Sequence, residues 1–164
     1  MTDWNARWRE KKEQSFDPDP WLLQLLPLLP PGEALDIASG RGRNALWLAE
    51  RGWPVVAVDA SAEALAQLEV EAGRRRLPVR TCRIDLEAEP RLPGSFELVL
   101  QFFYLQRSLL PALLASVRPG GVAVLRTFSS AGPFPGGPGN SAFVLRPGEL
   151  LEIFAGWDIV RHEE

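Results

Sequence analysis

The feature that most constrains this chain is a glycine-rich turn between an apolar run and a helical pattern. The run covers residues 34–38 (ALDIA), the turn contains Gly40 and Gly42, and the helical pattern of 43–51 ends at Gly52. Because glycine has no Cβ, it lets the backbone turn tightly and lets a ligand approach it closely. A strand that passes through such a turn into a helix is typical of α/β folds, in which ligands bind beyond the carboxyl ends of the strands.

Predicted strands and helices alternate along most of the chain. The strands are expected at 34–38, 54–59, 78–84, 96–101, 121–128 and 157–161. The helices are expected at 3–13, 21–29, 43–51, the segment after Ser61 that carries Leu65, Leu68 and Ala72, 105–117 with Pro111 in its first turn, and 147–154. This alternation favours a parallel sheet covered on both faces. We therefore expect an α/β fold, a Rossmann-like doubly wound, mostly parallel sheet in a three-layer sandwich, with strand order 3-2-1-4-5-6.

Length and composition narrow the class of protein. The 164 residues suit a single domain, 1–164, with an N-terminal helical cap at 1–32 and a Rossmann-like core at 33–164. One cysteine, Cys82, and one histidine, His162, allow neither an intrachain disulfide nor a structural zinc site, so we expect no metal. A net charge of −3, a polar N-terminus and the short apolar stretch 21–29 predict a cytoplasmic protein with no nucleic-acid or membrane partner.

Three acidic residues indicate which ligand suits the turn. Residues 40–45 (GRGRNA) satisfy the dinucleotide pattern G-x-G-x-x-G/A, but Asp36 precedes Gly40 by four residues and would repel a pyrophosphate. An ammonium group suits that carboxylate. Asp59 ends the second strand and can accept two ribose hydroxyls, and Asp85 can accept from an adenine amino group. S-adenosylmethionine (AdoMet) carries an ammonium, a sulfonium, a ribose and an adenine, and no phosphate.

Several segments, in order, carry a resemblance to a known family. They are 34–52, 55–61, 83–87, 96–110 and 117–128, with a closing loop and helix at 136–157. The sequence resembles class I AdoMet-dependent methyltransferases, and within them the small bacterial branch similar to tellurite-resistance and thiopurine methyltransferases. Ala38 and Ser39 replace the commoner Gly-Cys of the first motif, and Gln106 stands where some relatives have histidine.

The resemblance implies a cofactor, a reaction and a set of site residues. The cofactor is AdoMet, with S-adenosylhomocysteine as product, and the reaction is methyl transfer to a small molecule, such as a thiol, a metalloid oxyanion or a similar nucleophile. The cofactor-binding candidates are Asp36, Ala38, Ser39, Gly40, Gly42, Arg43, Asn44, Asp59, Ala60, Asp85, Leu86 and Gln101. The substrate-side candidates are Gln101, Phe103, Tyr104 and Arg107, with Phe128 and the 129–145 loop. Arg7 and Trp8 could close over the cofactor, and no residue is singled out as catalytic.

Other interpretations of the same residues stay open. The chain could be a non-catalytic AdoMet-binding or interaction module with a truncated methyltransferase fold, or a nicotinamide-dependent oxidoreductase, which Asp36 disfavours. Trp4 and Trp8 could pack without touching a ligand, and Phe103 and Tyr104 could be plain core aromatics. The usual seventh strand and a His-Arg pair of the tellurite-type relatives are expected to be missing. The sheet edge left exposed would then favour a homodimer.

Overall fold

The computed structural model describes residues 4–10, 15–133 and 135–164, without the side chains of Arg7 and Glu10. The strands are β1 (Ala34–Ile37), β2 (Val55–Asp59), β3 (Val79–Arg83), β4 (Phe96–Phe102) and β5 (Val117–Arg126). The α-helices are α1 (Trp4–Glu10), α2 (Pro20–Leu25), α3 (Arg43–Ala49), α4 (Ala62–Arg75), α5 (Leu110–Ala115) and α6 (Glu149–Ile153). Short 3₁₀ turns cover Leu26–Leu28, Arg107–Leu109 and Ser141–Phe143. None of these described helices is long and apolar enough to cross a membrane.

The five strands form one parallel sheet in the order β3-β2-β1-β4-β5. The chain moves outward from β1 through β2 to β3 and then crosses to β4 on the other side of β1. This reversal of direction leaves a crevice at the carboxyl ends of β1 and β4, where open α/β sheets bind ligands. The predicted Rossmann-like fold with a parallel sheet is therefore confirmed.

Side chains alternate between two apolar layers because successive residues of a strand point to opposite faces. Ala34, Val55 and Leu98 pack on one face with α2, α3 and α4. Their neighbours along the strands, including Leu35 and Val56, pack on the other face with α5. Helices on both faces cover the sheet, which confirms the three-layer arrangement.

The predicted sixth strand is wrong. Residues 157–161 form no strand, and Trp157, Ile159 and Val160 are exposed. Beyond the end of β5, the backbone pairs instead with Leu145, whose N–H donates to the carbonyl of Phe128. The described residues therefore form a five-stranded sheet, and the preceding loop makes one isolated bridge at Ser129, three residues beyond the end of β5.

Several element boundaries also differ from the prediction. β5 begins four residues earlier than predicted, because Val117 already pairs with Phe96 ahead of an irregularity in the ladder. The predicted 105–117 helix is a 3₁₀ turn followed by the shorter α5, with Pro111 in its first turn as predicted. α6 begins after Gly148, whose φ is +73°. The first helix is described only for residues 4–10, so the predicted extension over 11–13 lies outside the described residues.

Gly42 gives a direct test of how tightly the turn is packed. A Cβ on Gly42 would lie 2.4 Å from Leu68 at a φ of +75°, whereas one on Gly52, at a φ of +96°, meets no described atom within 4 Å. We expect Gly42→Ala to lower the free energy of unfolding by about 2–4 kcal/mol, since it adds overpacking to left-handed strain. The matched Gly52→Ala should cost only about 1–2 kcal/mol through strain alone. Urea denaturation compares the two, and equal losses would contradict the packing argument.

Candidate active site

A cavity of about 900 Å³ lies at the carboxyl ends of the strands. Most of the predicted site residues line it: Asp36, Ala38, Ser39, Gly40, Arg43, Asn44, Asp59, Ala60, Asp85, Leu86, Phe103 and Tyr104, together with Trp4, Trp8, Phe128 and Phe143. The volume is near the upper end of the range of about 300–1,000 Å³ that is usual for small-molecule sites. The cavity is therefore large enough for a cofactor and a small second ligand together.

The carboxylate of Asp59 fixes the shape of the glycine-rich turn. Its two oxygens accept hydrogen bonds from the N–H groups of Gly40 and Ser61, each at 2.8 Å. Gly40 has a φ of +55°, and a Cβ there would lie 2.5 Å from the indole of Trp8. Only glycine fits this position, because the turn is left-handed and the aromatic ring lies against it.

Ala38 begins the same turn in a strained conformation. Its φ is +54°, a left-handed value that costs a residue with a Cβ about 1–2 kcal/mol. Strain of this kind persists where the surrounding structure fixes it, and it occurs often at ligand sites. The smallest side chain with a Cβ therefore keeps the turn intact where glycine is the commoner residue.

Two buried carboxyl groups line the cavity, one near the end of β1 and one at the end of β2. Asp36 is 3% exposed, and burial raises its pKa to about 7, with a further increase from the negative charge of Asp59. The N–H of Ala45 and the charge of Arg43 oppose that increase. Burial also raises the pKa of Asp59, while the N–H groups that it accepts from lower it. A cation between these two acids would relieve both the burial and the repulsion.

The residues at the turn fit AdoMet in charge and hydrogen bonding. Asp36 and Asp59 suit its ammonium and ribose groups, whereas a pyrophosphate would meet two buried acids. The Oγ of Ser39 is buried and has no hydrogen-bond partner among the described residues, so a bound ligand could satisfy it. The apolar side chain of Leu86 suits a flat base.

The loop after β3 is connected to the turn after β4 through Gln106. The side-chain N–H of Gln106 donates to the carbonyl of Leu86 at 2.8 Å. The phenol of Tyr104 donates to the side-chain oxygen of Gln106. Burial and nearby acids, Glu87 first, raise the pKa of Tyr104 above its ordinary value, so the phenol stays protonated. Asp85 is exposed, and one of its oxygens accepts from the backbone of the loop that follows it.

Three predicted site residues do not line the cavity. Gly42 packs against Leu68 behind the turn. Gln101 is 2% exposed and holds the turn after β4 by donating to the carbonyl of Tyr104 at 2.8 Å. Arg107 is engaged elsewhere: it donates to Glu149 and to the carbonyls of Ala142 and Val144. The hydrogen bonds from Arg107, together with its positive charge, hold the pKa of Glu149 at about 2. The Arg107–Glu149 pair fixes the loop that carries Phe143.

Asp19 does not line the cavity but binds two residues that do, Arg43 and Asn44, and sequence reasoning missed it. It is 2% exposed, caps α2 by accepting from the N–H of Trp21, and donates its own N–H to Asn44. Its carboxylate also pairs with Arg43 at 3.2 Å and with Arg126. An aspartate before a proline predicts a helix cap, but the two arginines lie 24 and 107 residues away and gave no local signal.

The N-terminal helix is fastened to the fold through Asn5 and reaches the cavity through Trp4 and Trp8. The side-chain oxygen of Asn5 accepts from the hydroxyl of Ser61 at 2.9 Å and from the N–H of Glu63 at 3.2 Å, which fastens α1 to α4. Trp4 and Trp8 line the cavity from this helix, as well as packing against the fold. The predicted role of Arg7 lies outside the described side chains.

Comparisons with known proteins agree with this geometry. Residues 34–121 match the family model described as "Methyltransferase domain". The chain is 30% identical to hemagglutinin 1 of Eikenella corrodens over 82% of this chain and 46% of that protein. It is 24% identical to the probable S-adenosyl-L-methionine-dependent methyltransferase TehB of Haemophilus influenzae over 84% of this chain and 50% of that protein. The crystal structure of TehB from Haemophilus influenzae superposes with a TM-score of 0.80 at 19% identity, covering 98% of this chain and 57% of that one.

The parallel sheet with its acid-lined glycine turn defines a class I AdoMet-dependent methyltransferase fold. The chain belongs to the methyltransferase domain family, in the branch that includes TehB. AdoMet is the cofactor of this family. The chain spans about half the length of the first curated relatives that it matches.

The raised pKa of Asp36 predicts a pH-dependent stability. The folded protein holds a proton at Asp36 up to about pH 7, whereas the unfolded chain releases it near the ordinary aspartate pKa of 3.8. The contribution of this group to stability is therefore fully present below about pH 4 and is lost as pH rises to about 7. Asp36→Asn should gain stability relative to the wild type by about 1 kcal/mol per pH unit in that window. Urea denaturation of the ligand-free proteins from pH 4 to 8 measures the difference, and a constant difference would contradict the assignment.

Proposed function

We propose that this chain binds AdoMet at the turn between β1 and α3 and transfers its methyl group to a small-molecule nucleophile. The acceptor would be a thiol, a metalloid oxyanion or a similar group. The observation that carries the proposal is the pair of buried acids, Asp36 and Asp59, at neighbouring strand ends beside a glycine turn. Two relatives support the class of reaction: the probable methyltransferase TehB and a trans-aconitate 2-methyltransferase of Azoarcus, 36% identical over 64% of this chain and 42% of that protein.

Each part of the cofactor has a matching group in the cavity. Asp36 would accept from the ammonium, and Asp59, already holding two backbone N–H groups, would accept from the ribose hydroxyls with its remaining lone pairs. Leu86 would lie against the adenine, with Asp85 near its amino group. The hydroxyl of Ser39, which is buried and has no partner among the described residues, would donate to the carboxylate of the cofactor's amino-acid part.

The chain's own contribution to methyl transfer is positioning and exclusion of water. Bound AdoMet supplies a methyl group that its sulfonium already activates, so no strong acid or base is needed. Phe103, Phe128 and Phe143 line the cavity beyond the turn and would hold the acceptor in line while keeping water out. The phenol of Tyr104 stays protonated and would donate a hydrogen bond rather than remove a proton.

Calorimetric titration tests the cofactor assignment. We expect AdoMet and S-adenosylhomocysteine to bind and NAD not to bind, because two buried acids oppose a pyrophosphate. Asp59→Asn should weaken S-adenosylhomocysteine by about 1–3 kcal/mol, through poorer pairing of the ribose hydroxyls. Asp59 also holds the turn, so its substitution has a second effect. Titrating the 3′-deoxy analogue of S-adenosylhomocysteine into both proteins completes a double-mutant cycle that isolates the ribose contact. Absence of binding by both adenosyl ligands would refute the proposal. Binding without methylation of any acceptor would favour the non-catalytic module.

The ammonium contact predicts a ligand-specific pH dependence. S-adenosylhomocysteine should bind more weakly below about pH 7, by up to about tenfold per unit, because a protonated Asp36 no longer attracts its ammonium. Methylthioadenosine lacks the amino-acid part and serves as the matched ligand, whose affinity should stay nearly constant. In Asp36→Asn, S-adenosylhomocysteine should bind weakly at every pH. Parallel pH curves for the two ligands on the wild type would show that Asp36 does not contact the ammonium.

A further inference from the structure

Phe103 occupies an unusual position on the acceptor side of the cavity. Its φ is +54°, although it carries a large side chain, and the residue is 44% exposed and lines the cavity. The N–H of Phe103 donates to the carbonyl of Arg126 at 2.7 Å, which holds the strained turn against the end of β5. A bulky residue in a left-handed conformation is a true outlier, and such strain is typical of ligand sites.

Two guanidinium groups flank this ring. The Cζ of Arg126 lies 5.3 Å from the centroid of Phe103, and that of Arg43 lies 5.9 Å away. Both distances are within the range of a cation–π contact. The ring of Phe128 lies 5.4 Å from that of Phe103. Positive charge and aromatic surface therefore meet on one wall of the cavity.

The same two arginines share one buried carboxylate, that of Asp19. Its side chain is 3% exposed, whereas the two arginine side chains are each 40% exposed. Arginine stays protonated at any pH that proteins tolerate. One carboxylate compensates only one of the two cations, so this group of three residues keeps one net positive charge at the cavity wall.

We propose that this charge anchors the negative group of a flat organic anion, which is the methyl acceptor or the part of it that gives specificity. The proposal rests on the proposed function and deepens it. Four of the aromatic rings that line the cavity, those of Phe103, Tyr104, Phe128 and Phe143, favour a conjugated or aromatic body. A hydrated inorganic oxyanion would use the charge but would make no apolar contact with those rings.

Arg43 and Arg126 have different roles in this site. Arg43 lines the cavity and contacts the anion directly. Arg126 acts through Asp19 as a positioning residue: by sharing that carboxylate, it leaves the charge of Arg43 uncompensated. Removing Arg126 would let Asp19 neutralise Arg43. Removing the charge of Asp19 as well would restore the net positive charge.

Binding of a charged probe and its uncharged isostere tests this arrangement. Cinnamate and cinnamamide are titrated into the full chain saturated with S-adenosylhomocysteine, whose own affinity is measured on each variant. We expect Arg126→Met to weaken cinnamate about tenfold, the scale of a lost charged contact, and to change cinnamamide little. The double variant with Asp19→Asn should recover most of the cinnamate affinity, since asparagine still caps α2. Arg118→Met is the matched control: Arg118 lies near the start of the same strand, is also 40% exposed and is paired with Glu97.

Each outcome separates this inference from the proposed function. Loss of cinnamate binding in Arg126→Met with recovery in the double variant supports the anion site. Equal binding of cinnamate and cinnamamide by the wild type, or binding of neither, overturns it, as does an Arg126→Met that behaves like Arg118→Met. If tellurite replaces cinnamate with equal affinity, the aromatic part of the proposal fails. If S-adenosylhomocysteine itself does not bind, the proposed function fails first.

Discussion

The hydrogen bonds of the Asp59 carboxylate are the contacts on which the site depends most. One oxygen holds the N–H of Gly40 and the other holds that of Ser61, so a single side chain joins the end of β2 to the turn after β1 and to the start of α4. The parallel register of β1 and β2 brings the two strand ends together. Ser61 in turn accepts from the N–H of Ala64 and donates to Asn5, which extends the network to the N-terminal helix. The bond to Gly40 holds the turn in a left-handed shape, which glycine adopts without strain.

The cavity is electrostatically divided. Acidic groups lie at the ends of β1 and β2 and in the loop after β3, and cationic groups lie between the start of α3 and the end of β5. The acidic end is buried, and a buried charge without a partner is costly. At the cationic end, two half-exposed arginines share one buried carboxylate. A ligand that carries a cation at one end and meets an anion at the other would satisfy both. AdoMet with an anionic acceptor has this distribution of charge, which connects the proposed reaction with the proposed acceptor.

Local patterns predicted the sheet and the turn well, since strand alternation and glycine positions depend on neighbouring residues. The predictions that were wrong or missing concern residues whose partners lie far away in the sequence. The apolar run at 157–161 has strand character, but it pairs with no strand of the described residues, and its apolar side chains are exposed. The position of Arg107 after β4 predicts a cavity residue, yet Arg107 binds Glu149, which lies 42 residues later. Asp19 and Arg126 are joined across 107 residues, so no spacing rule could bring them to the site. Burial of Gln101 behind the lining likewise follows only from the packed turn.

A crystal structure of the chain with S-adenosylhomocysteine would test the central claim most directly. The account predicts the ribose hydroxyls within hydrogen-bonding distance of Asp59, the amino group beside Asp36, and the adenine against Leu86. It also predicts that the bond from Gly40 to Asp59 is kept in the complex. A ligand bound outside this turn, or one whose ribose lies away from Asp59, would contradict the assignment of the cofactor site. It would leave the buried acids of β1 and β2 as structural groups.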